Sequence, residues 1–416
     1  MTGSGWGVLR HRDFSLVCGA RFANTLANHI IQVAIAWYVY DVTGDAFALA
    51  YLGLAAFVPA VLLVLFTGYI ADHFDRRLLM MGASLVFTLS ALALLLVVAS
   101  GSNLIWPIYL VVIFVSGSRS FFNTASRAIV PSLVPKDQLA NGVAFASGAE
   151  QAATIAGPAL GGILYLFGSL FPFTTATVTL AAAMVAAFLV RFRDIPQKAS
   201  EPVSFKVLAA GFTFMRSKPV VLAAISLDAF VGLLSNVVIL LPIYAKDILH
   251  VGPVGHGFLR TAPAVGALLM AMWLANNQFV KRQSGAKMLI SVGVFGVATL
   301  VFGFSYSFYL SLLALAIVGA SDMVSVVIRH TLIQADTPNE LRGRVSSVNS
   351  LFTSASSELG RARAGLLAGL FGPVASVAIG GIAALAITAL WPVLFKDLWR
   401  RDHLVEEDTQ PATAKS

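Results

Sequence analysis

Long apolar runs broken by short charged turns set the pattern of this chain. Twelve such runs can be marked, at roughly 14–40, 46–70, 78–99, 104–126, 139–167, 169–190, 219–245, 254–276, 287–304, 308–328, 345–371 and 373–395. A membrane-spanning helix needs about 20 mostly apolar residues. Strands of a membrane barrel would alternate polarity in segments of about 10 residues, whereas the runs at 89–99 and 179–190 are unbroken. The pattern predicts an all-α integral membrane protein with twelve transmembrane helices.

The polar positions between the runs carry the orientation. The turns after the second, fourth, eighth and tenth runs hold Arg76, Arg77, Arg127, Lys136, Lys281, Arg282, Lys287, Arg329, Arg342 and Arg344, whereas the opposite turns hold Lys246. Excess Lys and Arg mark cytoplasmic loops, so both termini are expected in the cytoplasm and the chain in the cytoplasmic membrane. A linker at 191–218, marked by Pro196, Ser200 and Pro202, divides the chain near its middle. The expected units are a six-helix bundle over 1–190, the linker, a second bundle over 219–396, and a tail from 397 to 416. Within the linker Phe205, Leu208, Ala209, Phe212 and Met215 recur at helical spacing, which predicts a short interfacial helix.

The halves share a pattern. RAIVPSLVPKDQL from Arg127 and RHTLIQADTPNEL from Arg329 both run 12 residues from Arg to Leu (139 − 127 and 341 − 329). Each is followed by an apolar stretch and then by GPALGG or GRARAG. Parallel six-helix repeats are one way transporters are built. In the second copy Thr337, Pro338 and Glu340 suit a capping box.

Several ionisable residues lie inside the apolar runs: Arg21, Arg119, Glu150, Asp228, Arg260, Asp322, Glu358, Arg361 and Arg363. Each costs about 2.5–3.5 kcal/mol at a helix centre on insertion scales, and such residues face a bundle interior or an aqueous cavity. Arg21, Asn24, Asn28 and Gln32 follow helical spacing and form one polar stripe on the first run. Arg119 and Asn123 lie one turn apart on the fourth. Asp228, Ser235 and Asn236 share the seventh, and Asp322 lies on the tenth. The expected proton and substrate pathway therefore comprises Arg21, Asn24, Asn28, Gln32, Arg119, Asn123, Glu150, Asp228, Asn236, Asp322 and Glu358. Glu150 is expected to pair with Arg119, either as a switchable proton-coupling device or as a static ion pair. Glu358 and Arg361, at i and i+3, can neutralise each other. Gly157, Pro158, Gly161 and Gly162 in the fifth run allow close helix packing and a bend.

Composition narrows the function classes. The chain is 58% hydrophobic and 12% charged, against about 25% charged in soluble domains. Its net charge of +8 is accounted for by the loop asymmetry, so no nucleic-acid partner is expected. A single cysteine, Cys18, excludes an intrachain disulfide and a Cys-rich metal site. No HExxH, GxSxG or P-loop pattern occurs, which argues against an enzyme. No cofactor is expected, and the partners are the lipid bilayer and a small-molecule substrate.

The charged turn GYIADHFDRR at 68–77, together with SRSFFNTASRAIVPSLVP, GPALGGILY and RHTLIQADTPNELRGRVSSVNSLF, resembles the major facilitator superfamily over essentially the whole chain. Within it the chain is most similar to the branch of enterobactin exporters and macrolide efflux proteins. The resemblance implies a twelve-helix, monomeric secondary transporter of two six-helix bundles, exporting a siderophore or drug-like amphiphile against protons. It also implies that Gly68, Asp72, Asp75, Arg76 and Arg77 form a gating loop that latches the bundles in one access state. Import of a small nutrient and lysophospholipid flipping are alternatives on the same fold. Two departures stand out. The second-half counterpart of the 68–77 turn lacks the aspartate, and Arg361 and Arg363 replace apolar residues of the helix-five motif.

Overall fold

A computed structural model describes residues 5–191, 212–277, 279–281 and 283–401. They form helices without a strand. The twelve long helices are α1 Arg12–Thr43, α2 Ala46–His73, α3 Arg76–Ala99, α4 Trp106–Ile129, α5 Leu139–Leu164, α6 Leu170–Leu189, α7 Pro219–Ser235, α8 Gly252–Asn276, α9 Ser284–Gly303, α10 Phe308–Asp336, α11 Asn339–Phe371 and α12 Pro373–Leu394. Among the described residues, nine are long and apolar enough to cross a membrane. The other three are α1, α5 and α11, which carry Arg21, Glu150, Glu358, Arg361 and Arg363.

Local sequence sets the ends of these helices. Asp45 caps α2 by accepting from the Phe47 amide at 2.9 Å, and Asp75 caps α3 by accepting from the Arg77 amide at 2.8 Å. Each satisfies one donor that a helix start leaves open. Gly44 ends α1 at φ +63°, a conformation glycine adopts without steric cost. The capping box expected at Thr337–Glu340 is not formed. Pro338 occupies the N-cap of α11 without a side-chain cap bond, and the Thr337 hydroxyl is unpartnered. The seventh run is also not one helix. It ends at Ser235 and resumes as short turns from Val238 to Ile248, with Asn236 Oδ1 accepting from the Val238 amide at 3.1 Å.

Packing repeats between the halves. In the first, α1 lies on α5 and α6, α3 on α4 and α6, and α2 on α4. In the second, α7 lies on α11 and α12, α9 on α10 and α12, and α8 on α10. The halves meet along two seams, α2 with α11 and α5 with α8, which the repeat interchanges. The outer faces expose large apolar side chains, among them Leu62, Leu96, Leu269 and Val393, each more than half exposed. An apolar exterior on this scale suits hydrocarbon rather than water. The interfacial helix expected in the linker falls mostly outside the described residues, where Phe205, Leu208 and Ala209 lie; 212–217 are helical, with Met215 buried.

Candidate transport site

A cleft runs between the halves near the middle of the molecule. Its cavity volume is about 70 Å³. Asn28 and Gln32 enter it from α1, Arg119 from α4, Arg260 from α8, and Glu358 and Arg361 from α11. Ile31, Ile35, Val112, Val115 and Ile239 supply its apolar walls. Asn28 and Arg119 also border a second space of about 120 Å³, lined further by Asn24, His29, Asn123 and Glu150. Of the α1 stripe, Gln32 borders the first space, Asn24 the second and Asn28 both. Across the cleft, Arg260 donates to Gln32 Oε1 at 2.5 Å, and Arg361 donates to Glu358 Oε1 at 2.6 Å within α11.

Glu150 does not pair with Arg119. Its Oε2 accepts from Arg21 and its Oε1 from Arg127, the latter at 2.8 Å. α5 packs on α1, which brings Arg21 to it, and on α4 it is Arg127, two turns beyond Arg119, that reaches the carboxylate. In the second half Asp228 forms an ion pair with Arg329 and accepts from the Thr353 hydroxyl at 2.9 Å. Arg329 and Arg127 occupy equivalent repeat positions, so each half uses this arginine to hold a carboxylate. Asp228 is thus engaged within its own half rather than lining the central cleft. Asp322 lies halfway along α10, close enough to Asp228 and Arg329 to feel their charges. Asn236 is a structural residue, donating to the Ser357 carbonyl and hydroxyl at 3.2 Å each.

The helix-five glycines build seams. A Cβ on Gly157 would lie 2.6 Å from His29 Cβ, and one on Gly161 would lie 3.2 Å from the Ile30 backbone, both on α1. A Cβ on Gly162 would instead meet the Pro253 carbonyl oxygen of α8 at 2.5 Å and Gly257 Cα at 3.0 Å. Pro158 lies on the same line, its carbonyl oxygen facing Gly257. The second seam is built the same way: a Cβ on Gly365 would stand 2.7 Å from the Ala50 backbone, and one on Gly53 2.8 Å from the Ala362 amide nitrogen. Gly365 is the repeat mate of Gly162 (365 − 162 = 203), the spacing that also separates Asp322 from Arg119. Polar links reinforce this end of the molecule. Lys246 donates to Asp41 at 2.6 Å, Tyr40 donates to Asp247, and Thr261 donates to the Ile155 carbonyl at 3.2 Å. This is the end where α1 and α5 finish and α2 and α8 begin, opposite the Arg-rich turns.

At the other end, the 68–77 turn is tied into the first half. Arg76 donates to the Ala128 carbonyl at 3.3 Å and Arg77 to that of Phe188 at 3.2 Å. Gly68 and Asp72 lie in the last part of α2, where side-chain positions are outside the described residues. The sequence reading left Arg260, Asp41, Tyr40, Lys246 and Asp247 out of the pathway. Arg260 carried a signal as an intramembrane charge; the other four lie near helix ends, where polar residues are ordinary.

The whole chain matches a known family. Residues 3–410 fit the model of the transmembrane secretion effector family. Macrolide efflux protein A of Streptococcus pyogenes is 23% identical over 394 residues, covering 92% of this chain and 95% of the relative. Enterobactin exporter EntS of Citrobacter koseri is 26% identical over 400 residues, covering 94% and 93%. Among solved structures, the nucleoside transporter NupG superposes with a TM-score of 0.71 at 12% identity, covering 92% of this chain and 99% of that one. A bacterial homologue of the iron transporter ferroportin in its inward-facing state gives 0.71 at 16%, covering 94% and 99%. The chain is a membrane transporter, not an enzyme, and belongs to the transmembrane secretion effector family of the major facilitator superfamily.

Proposed function

We propose that the protein exports a small amphiphilic molecule, siderophore-like or drug-like, from the cytoplasm by alternating access, with protons moving the other way. All twelve long helices span the cytoplasmic membrane in this reading, as two bundles over 1–190 and 219–396 joined by a cytoplasmic linker, and both termini face the cytoplasm. The observation that carries it is the cleft itself. Polar side chains from both halves converge on one mid-molecule space, and two glycine seams close the halves together at the end opposite the Arg-rich turns. With those turns inside the cell, the structure corresponds to the state closed to the exterior. The relatives named above are exporters by description, which favours export over import or lipid flipping.

Glu150 is the proton carrier in this scheme. It borders the polar path and is shared between Arg21 and Arg127. Protonation would release two guanidinium partners at once and loosen α5 from α1 and α4. The 68–77 turn, through Asp72, Asp75, Arg76 and Arg77, would engage the second half when the cytoplasmic end closes. The protein acts as a monomer, since one chain supplies both sides of the cleft. The test is transport by the purified protein in proteoliposomes with an imposed pH gradient, over a panel of siderophores, drugs and lysolipids. Movement of a siderophore or drug coupled to proton counterflow supports the reading. Movement of lysolipids alone, or in the same direction as the protons, sinks it.

A further inference from the structure

The cleft has an excess of positive charge that its own side chains do not neutralise. Arg119, Arg260 and Arg361 line it against one carboxylate, Glu358. That carboxylate is already bound by Arg361 at 2.6 Å. Glu150, which borders the adjoining space, is held by Arg21 and Arg127. Arg260 has a neutral partner, the Gln32 amide oxygen, and no ion pair among the described residues reaches Arg119. Two guanidinium groups therefore enter the cleft without an ion pair of their own among the described residues, one from each half, with the single Glu358 carboxylate nearby.

A buried or half-buried charge without a counter-ion is costly, and structures retain it where a ligand supplies the opposite sign. Guanidinium is also the side chain whose planar fork matches an oxyanion with two oxygens side by side. Around these groups the walls are apolar, with Ile31, Ile35 and Ile239 close by. Resting on the transport reading above, we infer that the cargo is an amphiphilic anion. Its acidic group, a carboxylate or another bidentate oxyanion, bridges Arg119 of the first half and Arg260 of the second, and its apolar body lies against the isoleucines. Because the two arginines belong to different halves, the anion also bonds the halves together as it binds. Gln32 is then the group that holds Arg260 in place when the cargo is absent. An amphiphilic cation of the same size would meet net repulsion.

The test is binding to the purified full-length protein in detergent, using two fluorescent probes that differ in head group. One is 11-(dansylamino)undecanoate and the other is 11-(dansylamino)undecylamine. The anion is expected to bind at least about tenfold tighter than the amine, the scale of one charge-assisted contact. Arg119→Gln and Arg260→Gln should each weaken anion binding by about tenfold or more and leave the amine unchanged or tighter. Arg119→Lys should keep the sign of the preference through its charge but bind the anion more weakly than wild type, because the planar fork is lost. Variants are compared as monodisperse species on size exclusion, so that loss of fold is not mistaken for loss of site. Equal affinity for the two probes overturns the inference. So does an equal loss of both in the variants, or no saturable binding of the anion by monodisperse protein. Transport is read separately: selective anion binding without export would leave the site and remove the exporter reading, while export of the amine by a protein indifferent to the anion would do the reverse.

Discussion

Replacing Gly162 by alanine should shift the protein out of the state seen here. The added Cβ would stand 2.5 Å from the Pro253 carbonyl oxygen and 3.0 Å from Gly257 Cα, both backbone atoms that cannot turn aside as a flexible side chain can. Overpacking of this kind costs about 1–3 kcal/mol. The clash exists only while α5 and α8 are in contact, so the cost falls on the state closed at that end and not on the state open there. A differential of about 1–3 kcal/mol moves the equilibrium about 5- to 150-fold. Cysteine labelling can read that shift, because Cys18 is the single cysteine and is buried. In a Cys18→Ser background, Ile35→Cys places a thiol on the cleft wall. Its reaction with a membrane-impermeant maleimide added outside should accelerate about 5- to 150-fold in Gly162→Ala. Gly157→Ala is the control, since its Cβ would strike His29 at 2.6 Å within the same half. That variant should lose stability without accelerating labelling. Equal acceleration in both, or an unchanged rate in a folded Gly162→Ala protein, would refute the assignment of this seam to the access change.

Four further outcomes follow from the same geometry. Lys246→Ala removes an exposed ion pair, with side chains 36% and 51% exposed; such pairs contribute about 0.2–1 kcal/mol, so outside labelling should rise less than about fivefold and less than in Gly162→Ala. Asp228→Asn leaves the Arg329 guanidinium, 3% exposed, without its counter-charge, and reversible unfolding in mixed micelles should show a loss of about 3–5 kcal/mol. Adding Arg329→Met to that variant should recover part of the loss, because the uncompensated charge goes with it; a double variant no more stable than the single would contradict this. Thr353→Val should cost less, about 0.5–1.5 kcal/mol, as the loss of one hydroxyl bond to Asp228.

Much of the architecture was legible in the sequence because it depends on neighbours along the chain. Apolar runs of helix length marked the elements, and the equal spacing after Arg127 and Arg329 pointed to the repeat that the helix packing displays. The α1 stripe was legible for the same reason, since helical periodicity places Asn28 and Gln32 on one face. What escaped was whatever depends on which helices touch. Similar depth in adjacent segments suggests Arg119 for Glu150, yet α5 lies on α1, which supplies Arg21, and α4 supplies Arg127, two turns further along, in place of Arg119. The same limit applies to Asp228, whose partner Arg329 lies about 100 residues on (329 − 228). Gly162 read as a packing glycine, but its partner Gly257 sits in the other half, which no local pattern states. Asn236 had the spacing of a pathway residue and instead ties the broken end of α7 to α11. The hydropathy of α1 and α5 is low because of uncharged polar and small residues, such as Asn24, Asn28, His29 and Gln32 on α1 and the glycines on α5, and that of α11 because of Glu358, Arg361 and Arg363 with several serines.

Proton movement past Glu150 is proposed to drive export, and uptake into everted membrane vesicles under an imposed pH gradient, acid inside, tests this for wild type, Glu150→Gln and Arg119→Ala. Wild-type vesicles should accumulate substrate only while the gradient lasts, and adding substrate should speed proton efflux from the lumen. Glu150→Gln should retain binding but lose both gradient effects. Substrate accumulation indifferent to the gradient, or full gradient-driven accumulation by both variants, would rule out this coupling.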